Sequence, residues 1–184
     1  MKAKKVRCEE IVRINLEKAA ESQMGATSLF ILGERLGVGD EQVPMEPELA
    51  CKLYERAVTL QSPFPDGHPI AMLHLALHYE RGIGVEQNQE KAHQYYKSVI
   101  EHSHPGEETL RAAFLALSRF HRDGLGGAEK SMTLAAKYLT MSKSNAESPR
   151  EIKHLENWWE ANGADLVDDD EVIGEVLRLE PRIN

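Results

Sequence analysis

His74 and His78 stand four residues apart, and on a helix that spacing places two imidazoles on one face, as in a metal site. No Glu, Asp or Cys completes a recognisable ligand set beside them. Leu75 follows the first His where a metalloprotease helix carries its Glu. The pair therefore reads as surface or groove histidines, with no metal. His102 and His104 flank a turn that runs into Pro105-Gly106, and they read as loop residues. Gly82-Ile83-Gly84 and Gly124-Leu125-Gly126-Gly127 have the look of phosphate loops. They lack the Lys-Ser/Thr of a nucleotide loop and follow helical patterns instead of strands, so they read as connectors. No strand–Ser–helix elbow is present. Cys8 and Cys51 share no metal spacing and have no evident partner base, which fits a reduced intracellular setting. The expectation is a non-enzyme with no cofactor and no metal. The competing reading is an enzyme that uses His74, His78 and His121 in a groove.

Composition narrows the partners. The 184 residues carry 22 Lys and Arg against 30 Asp and Glu, a net charge of -8. Such a chain is poorly suited to neutralising nucleic-acid phosphates or an anionic membrane surface. The basic start at Lys2, Lys4, Lys5 and Arg7 leaves a ribonucleoprotein subunit as a further alternative. The longest apolar run, Ala112 to Leu117, has six residues, where a membrane span needs about twenty. Glu9 and Glu10 follow the basic start with no apolar core, which argues against a secretory signal and disfavours a mitochondrial address relative to the cytoplasm. The hydrophobic share of 41% is enough to fold most of the chain.

These residues must be positioned by helices, because apolar spacing of the helical period recurs almost throughout and no β-branched run alternates for long. Helices are expected over about 6–22, 26–36, 47–60, 69–81, 88–102, 107–122, 131–143 and 149–161. Pro47 and Pro149 fit first-turn positions. Ser148 and Glu151 form a capping box around the latter. Gly37, Gly82 and Gly124 fall just past apolar helices, where a left-handed residue closes the last turn.

The helices repeat. The stretch Ala71-Met72-Leu73-His74-Leu75-Ala76-Leu77-His78-Tyr79-Glu80-Arg81-Gly82-Ile83-Gly84-Val85 is followed by Lys91-Ala92 and Tyr95-Tyr96. A shift of 45 residues upstream sets Ala26, Phe30, Gly37 and Gly39 against Ala71, Leu75, Gly82 and Gly84, with Ala50, Leu53 and Tyr54 behind them. A shift of 42 downstream sets Ala113, Leu117, His121, Gly124 and Gly126 against the same pattern, with Ala135, Tyr138 and Leu139 behind. This unit resembles the Sel1-like repeat family, relatives of the tetratricopeptide repeats. The family runs Ala-x3-Leu-Gly-x2-Tyr-x2-Gly-x-Gly-Val, then Lys-Ala and an aromatic pair. Departures are Ala76 at the family's Gly, Glu34 at its Tyr and Gly127 at its Val. Members that carry two cysteines per repeat were linked to β-lactam binding, and that cysteine pattern is missing here.

The resemblance implies an all-α, right-handed α/α superhelix of about three helix pairs, because one pair cannot bury its faces alone. The expected layout is a capping helix with a basic start over 1–24, three repeats over 25–145, a second cap over 146–163 and an acidic segment over 164–184. It also implies a protein-binding adaptor or scaffold subunit whose concave groove is lined by the first helix of each pair. The groove positions are then Ser28, Leu32, Arg35 and Leu36, then Leu73, Leu77, Glu80 and Arg81, then Leu115, Arg119, Arg122 and Asp123. That gives an apolar floor of Leu32, Leu73, Leu77 and Leu115 ringed by Arg35, Arg81, Arg119 and Arg122. The surface suits a peptide or helix with apolar anchors and a carboxylate or phosphate for Arg. Periodicity alone leaves open that the leucines are helix–helix core. Trp159 would face inward with Ile152 and Leu155, and Trp158 is the tryptophan placed to contact a partner. Residues 165–184 hold seven acids and two arginines, with Asp168, Asp169 and Asp170 ahead of Val172, Ile173, Val176, Leu177 and Leu179. This acidic amphipathic segment either folds back on the repeats or docks on another protein.

Overall fold

In a computed structural model of the chain, the described residues include the successive helices α1 Gly25–Val38, α2 Pro47–Thr59, α3 Pro69–Arg81, α4 Gln89–Glu101, α5 Glu107–Asp123 and α6 Met132–Ser142. The structure describes residues 7, 10–12, 14, 25–39, 43–60, 64–143, 153, 157 and 159. No strand occurs among the described residues. The described positions near both ends are helical, and Val12 and Trp159 are buried. The rest of the stretches expected to form capping helices, Trp158 and the segment 164–184 lie outside the described residues.

Local chemistry sets the helix ends. Pro47 and Pro69 occupy first turns, where the missing N–H has no helical partner to lose. Ser131 caps α6 by accepting the Leu134 N–H at 3.2 Å. His68 performs the same task for α3, its Nδ1 accepting the Ala71 N–H at 3.3 Å. This cap has no signature among the usual Ser, Thr, Asp and Asn, so the sequence does not reveal it. α3 and α5 close on Gly82 and Gly124, both left-handed at φ 71°, whose N–H groups bond the carbonyls of His78 and Phe120 at 2.8 Å.

The hydrogen bonds fix the repeat register and correct it in the first copy. Gly39 has φ 73°, and its N–H bonds the Arg35 carbonyl at 2.9 Å, as Gly82 and Gly124 do one repeat and two repeats later. The N–H groups of Glu46, Asn88 and Ser131 then bond the carbonyls of Leu36, Tyr79 and His121, each at 2.8 Å. Gly39 is thus the equivalent of Gly82, and Gly37 lies inside α1. The alignment that pairs Gly37 with Gly82 is two residues out. Two glycines stand near the helix end, and only the backbone shows which one reverses the chain. In the true register Leu36 holds the family's Tyr position, and Gly33 its Gly position.

Gly33 shows why that position is small. A Cβ there would lie 2.6 Å from Cε1 of Tyr54, which is 1% exposed on the facing helix α2. The equivalent Ser118 turns its hydroxyl inward and donates to the Ala135 carbonyl at 2.6 Å, which satisfies a fully buried polar group.

The chain divides into two units, one up to Asn88 and one from Gln89. In the first, α1 packs closely along α2, and α3 joins α2. Its core includes Leu29, Phe30, Leu36, Leu53, Tyr54, Ala57 and Leu75. In the second, α5 packs along α6, and α4 along α5. There Leu110, Phe114 and Met141 form one buried cluster, and Ala135, Ala136, Leu139 and Trp159 form another. The connector glycines seat each unit's repeats. A Cβ on Gly84 would collide with the Pro47 carbonyl at the start of α2, and one on Gly126 with the Gln89 carbonyl at the start of α4.

Candidate partner-binding surface

The histidines resolve first, because their packing decides whether chemistry is available. His74 sits edge-on to Phe30 at 5.4 Å and against Tyr54 at 5.2 Å, and His78 sits edge-on to Tyr54 at 5.6 Å. Burial pushes both imidazoles below their ordinary pKa, more than the nearby Glu34 carboxylate raises His74 or the Ile83 carbonyl raises His78. They are half-buried in aromatic packing. His102 is likewise buried, not a solvated loop residue, and its Nδ1 accepts the His104 N–H at 2.9 Å.

Cys51 has a neighbour that the sequence does not announce. Its Sγ lies 3.1 Å from His78 Nδ1, which also lies 2.7 Å from the Ile83 carbonyl oxygen. A carbonyl only accepts, so Nδ1 carries the proton and cannot take one from the thiol. Burial, reinforced by Glu55, pushes the thiol up to about 12. A nucleophilic Cys–His pair needs the reverse on both counts. The contact is a polar joint between α2 and α3. Among the described residues, no group of three or more His, Cys, Asp or Glu could hold a metal ion.

In the second unit, His93 of α4 stacks on Phe120 of α5 at 5.7 Å and meets His121 edge-on at 5.7 Å. His121 stacks on Tyr138 at 5.3 Å, and its Nδ1 donates to the Glu129 carbonyl at 2.9 Å. Burial lowers the pKa of His93, and His121 and Lys97 lower it further against the Gly126 carbonyl bond. His121 is therefore tied into helix packing as well.

The predicted groove residues separate by unit. In the first, Leu32, Leu73 and Leu77 are half-buried, while Arg35 and Arg81 are exposed. The corrected register makes Phe30, Glu34, Gly37 and Val38 the α1 equivalents of Leu73, Leu77, Glu80 and Arg81. Ser28, Leu32, Arg35 and Leu36 lose that equivalence, and Leu36 is core at 2% exposure. Arg35 still lines an open cleft on α1, with Ile31, Glu34, Val38 and Gly39. Ile31 is 58% exposed and Val38 78%. Ile31, Arg35 and Val38 share one stripe at i, i+4 and i+7. Met45, 63% exposed, has its backbone against Gly39 and extends the apolar patch. Val38 was missed because the misplaced register set Leu36 in its place, and Ile31 because it falls on no groove position in either register.

In the second unit, Leu115 packs half-buried against the cluster that holds Trp159, which ties it to the core as well as to the α5 surface. Arg122 makes a two-bond contact with its neighbour Asp123, at 2.8 and 2.6 Å. That contact, more than the nearby Arg119 and Lys130, holds the Asp123 carboxyl below the usual carboxylate range. Trp159 faces inward, as its spacing predicts.

Tight helical hairpins ending on left-handed glycines define an α/α-hairpin repeat protein. The family model for the Sel1 repeat matches residues 26–62, 69–104 and 112–145, more than half of the sequence, and the chain belongs to the Sel1 repeat family. Solved structures similar to it include c5321, a protective antigen present in uropathogenic Escherichia coli strains and displaying an SLR fold. The TM-score is 0.55 at 20% identity, over 69% of this chain and 24% of that one. A Sel1 repeat protein from Oxalobacter formigenes gives 0.55 at 21% identity, over 68% of this chain and 45% of that one. The chain thus spans about a quarter and under a half of these two relatives. They speak to the fold, which is an all-α solenoid of about three repeats. No curated protein matches the chain. Sel1 repeat proteins are generally protein-interaction modules and typically non-catalytic scaffolds. No helix among the described residues is long and apolar enough to cross a membrane.

Proposed function

We propose that this chain is a non-enzymatic adaptor or scaffold subunit that holds a segment of a partner protein on the first helices of its repeats. The cleft on α1 carries the reading. Ile31 and Val38 expose most of their apolar surface on one stripe, with Arg35 between them and Glu34 beside it. Contiguous exposed apolar side chains at polar borders mark interaction sites. Leu73, Leu77 and Arg81 on α3 continue the same residue types in the first unit, and Leu115, Arg119 and Arg122 carry them on α5 in the second. The occupant is a peptide or helix with apolar anchors and a carboxylate for Arg35.

The imidazoles argue against a groove enzyme. His74, His78 and His121 each pack against aromatic rings, and the Nδ1 atoms of His78 and His121 are held by backbone carbonyls. The partner is sought by affinity capture with mass spectrometry, comparing wild type with Ile31→Glu plus Val38→Glu. Both side chains are exposed, so the variant should melt as wild type does. Loss of one partner from a variant with an unchanged melt supports the reading. Retention of every partner removes α1 as the partner surface.

A further inference from the structure

We propose that the acidic segment 165–184 docks in cis on the face of α5 that carries Leu115, Arg119 and Arg122, as a built-in occupant of that face. Charge points there first. The third repeat, residues 112–145, holds five cations against two acids, whereas the first and second repeats are both net acidic. The segment holds seven acids against two arginines. Of the three repeats, only the third offers it opposite charge.

The chain path points to the same place. Trp159 is buried against Ala135, Ala136 and Leu139 of α6, in the cluster where Leu115 of α5 also packs. The chain therefore passes beside α5 six residues before Asp165. Six residues reach at most about 20 Å. Leu115, Arg119 and Arg122 fall on one helical stripe, which rises only about 10 Å over that length. Arg122, Arg119 and Lys130 all lie close enough to the Asp123 carboxylate to lower its pKa, so three cations gather at the end of the stripe.

The segment's own pattern completes the case. Val172, Ile173, Val176 and Leu177 would form one apolar face on a helix, led by Asp168, Asp169 and Asp170. Gly174 in its middle weakens its helix propensity. A helix this short is marginal in water without a surface to cover. Docking on α5 supplies that surface, with the leading acids on the cations and the apolar face toward the helices. A partner segment of the chemistry proposed above would then have to displace residues 165–184 from the third repeat. That consequence rests on the partner reading, but the docking does not.

Hydrogen exchange on the full chain without any partner tests it. Three proteins are compared at low and high salt: wild type, Asp168→Asn with Asp169→Asn and Asp170→Asn, and Arg119→Gln with Lys130→Gln. The expected result is at least tenfold protection of amides 172–180 in wild type at low salt. That protection should fall to the free-peptide rate at high salt and in both variants. If the α5 variant loses protection in α5 itself, the Asp variant carries the test, since its changes lie outside the repeats. Free-peptide exchange in wild type overturns the proposal, as does protection that the Asp variant retains. Protection that rises with protein concentration also overturns it, by assigning the occupant to a second copy. None of these results touches the α1 cleft.

Discussion

Burial decides what the histidines do. His74, His78 and His93 each sit among aromatic rings with a pKa below the ordinary 6.5. In the unfolded chain each takes a proton as pH falls through about 6.5, while the folded chain resists protonation. The unfolded state then binds more protons, so the stability they contribute is full above about 6.5 and is lost as pH falls below it. Thermal melts at pH 7.5 and pH 5.5 should show a Tm lower by roughly 5 °C at the acid end. An unchanged Tm would mean that these imidazoles are solvated. The spacing of His74 and His78 was legible in the sequence, but their fate was not. Phe30, Tyr54 and Cys51 come from other helices, and no local pattern records such neighbours.

Helices were the most legible level, because apolar period, Pro47 and the glycines at helix ends all act locally. The register of the first repeat was not legible, since Gly37 and Gly39 satisfy the same sequence rule and only Gly39 has positive φ. That two-residue error misassigned Leu32 and Arg35 and set Leu36 where Val38 belongs, while Ile31 aligns with His74 in the corrected register and its exposure follows from its neighbours alone. The connector glycines allow a clean test of element packing. Gly126 and Gly127 both have positive φ, but a Cβ at 126 would strike the Gln89 carbonyl, while at 127 it meets nothing within 4 Å. Gly127→Ala should cost only backbone strain, about 1 kcal/mol. Gly126→Ala should cost about 1 to 3 kcal/mol more, because the connector must also move off α4. Urea denaturation of both variants measures the difference, and equal losses would contradict the seating of that connector on α4.

At the scale of the molecule, an acidic chain carries one basic repeat and an acidic segment, and a Sel1 repeat fold whose family holds proteins together. Family and fold were legible because the middle copy keeps nearly every position of the repeat pattern. The proposed partner surface was legible only as residue types on first helices, since exposure depends on which neighbours cover each side chain. Site-specific photo-crosslinking tests the central claim most directly. A photoreactive side chain is placed at Val38 in the cleft, or at Lys52 on the exposed side of α2 as control. The account predicts a single dominant protein adduct from position 38 and none from 52. Equal labelling from both positions, or an adduct from position 52 alone, would contradict the assignment of α1 as the face that holds the partner.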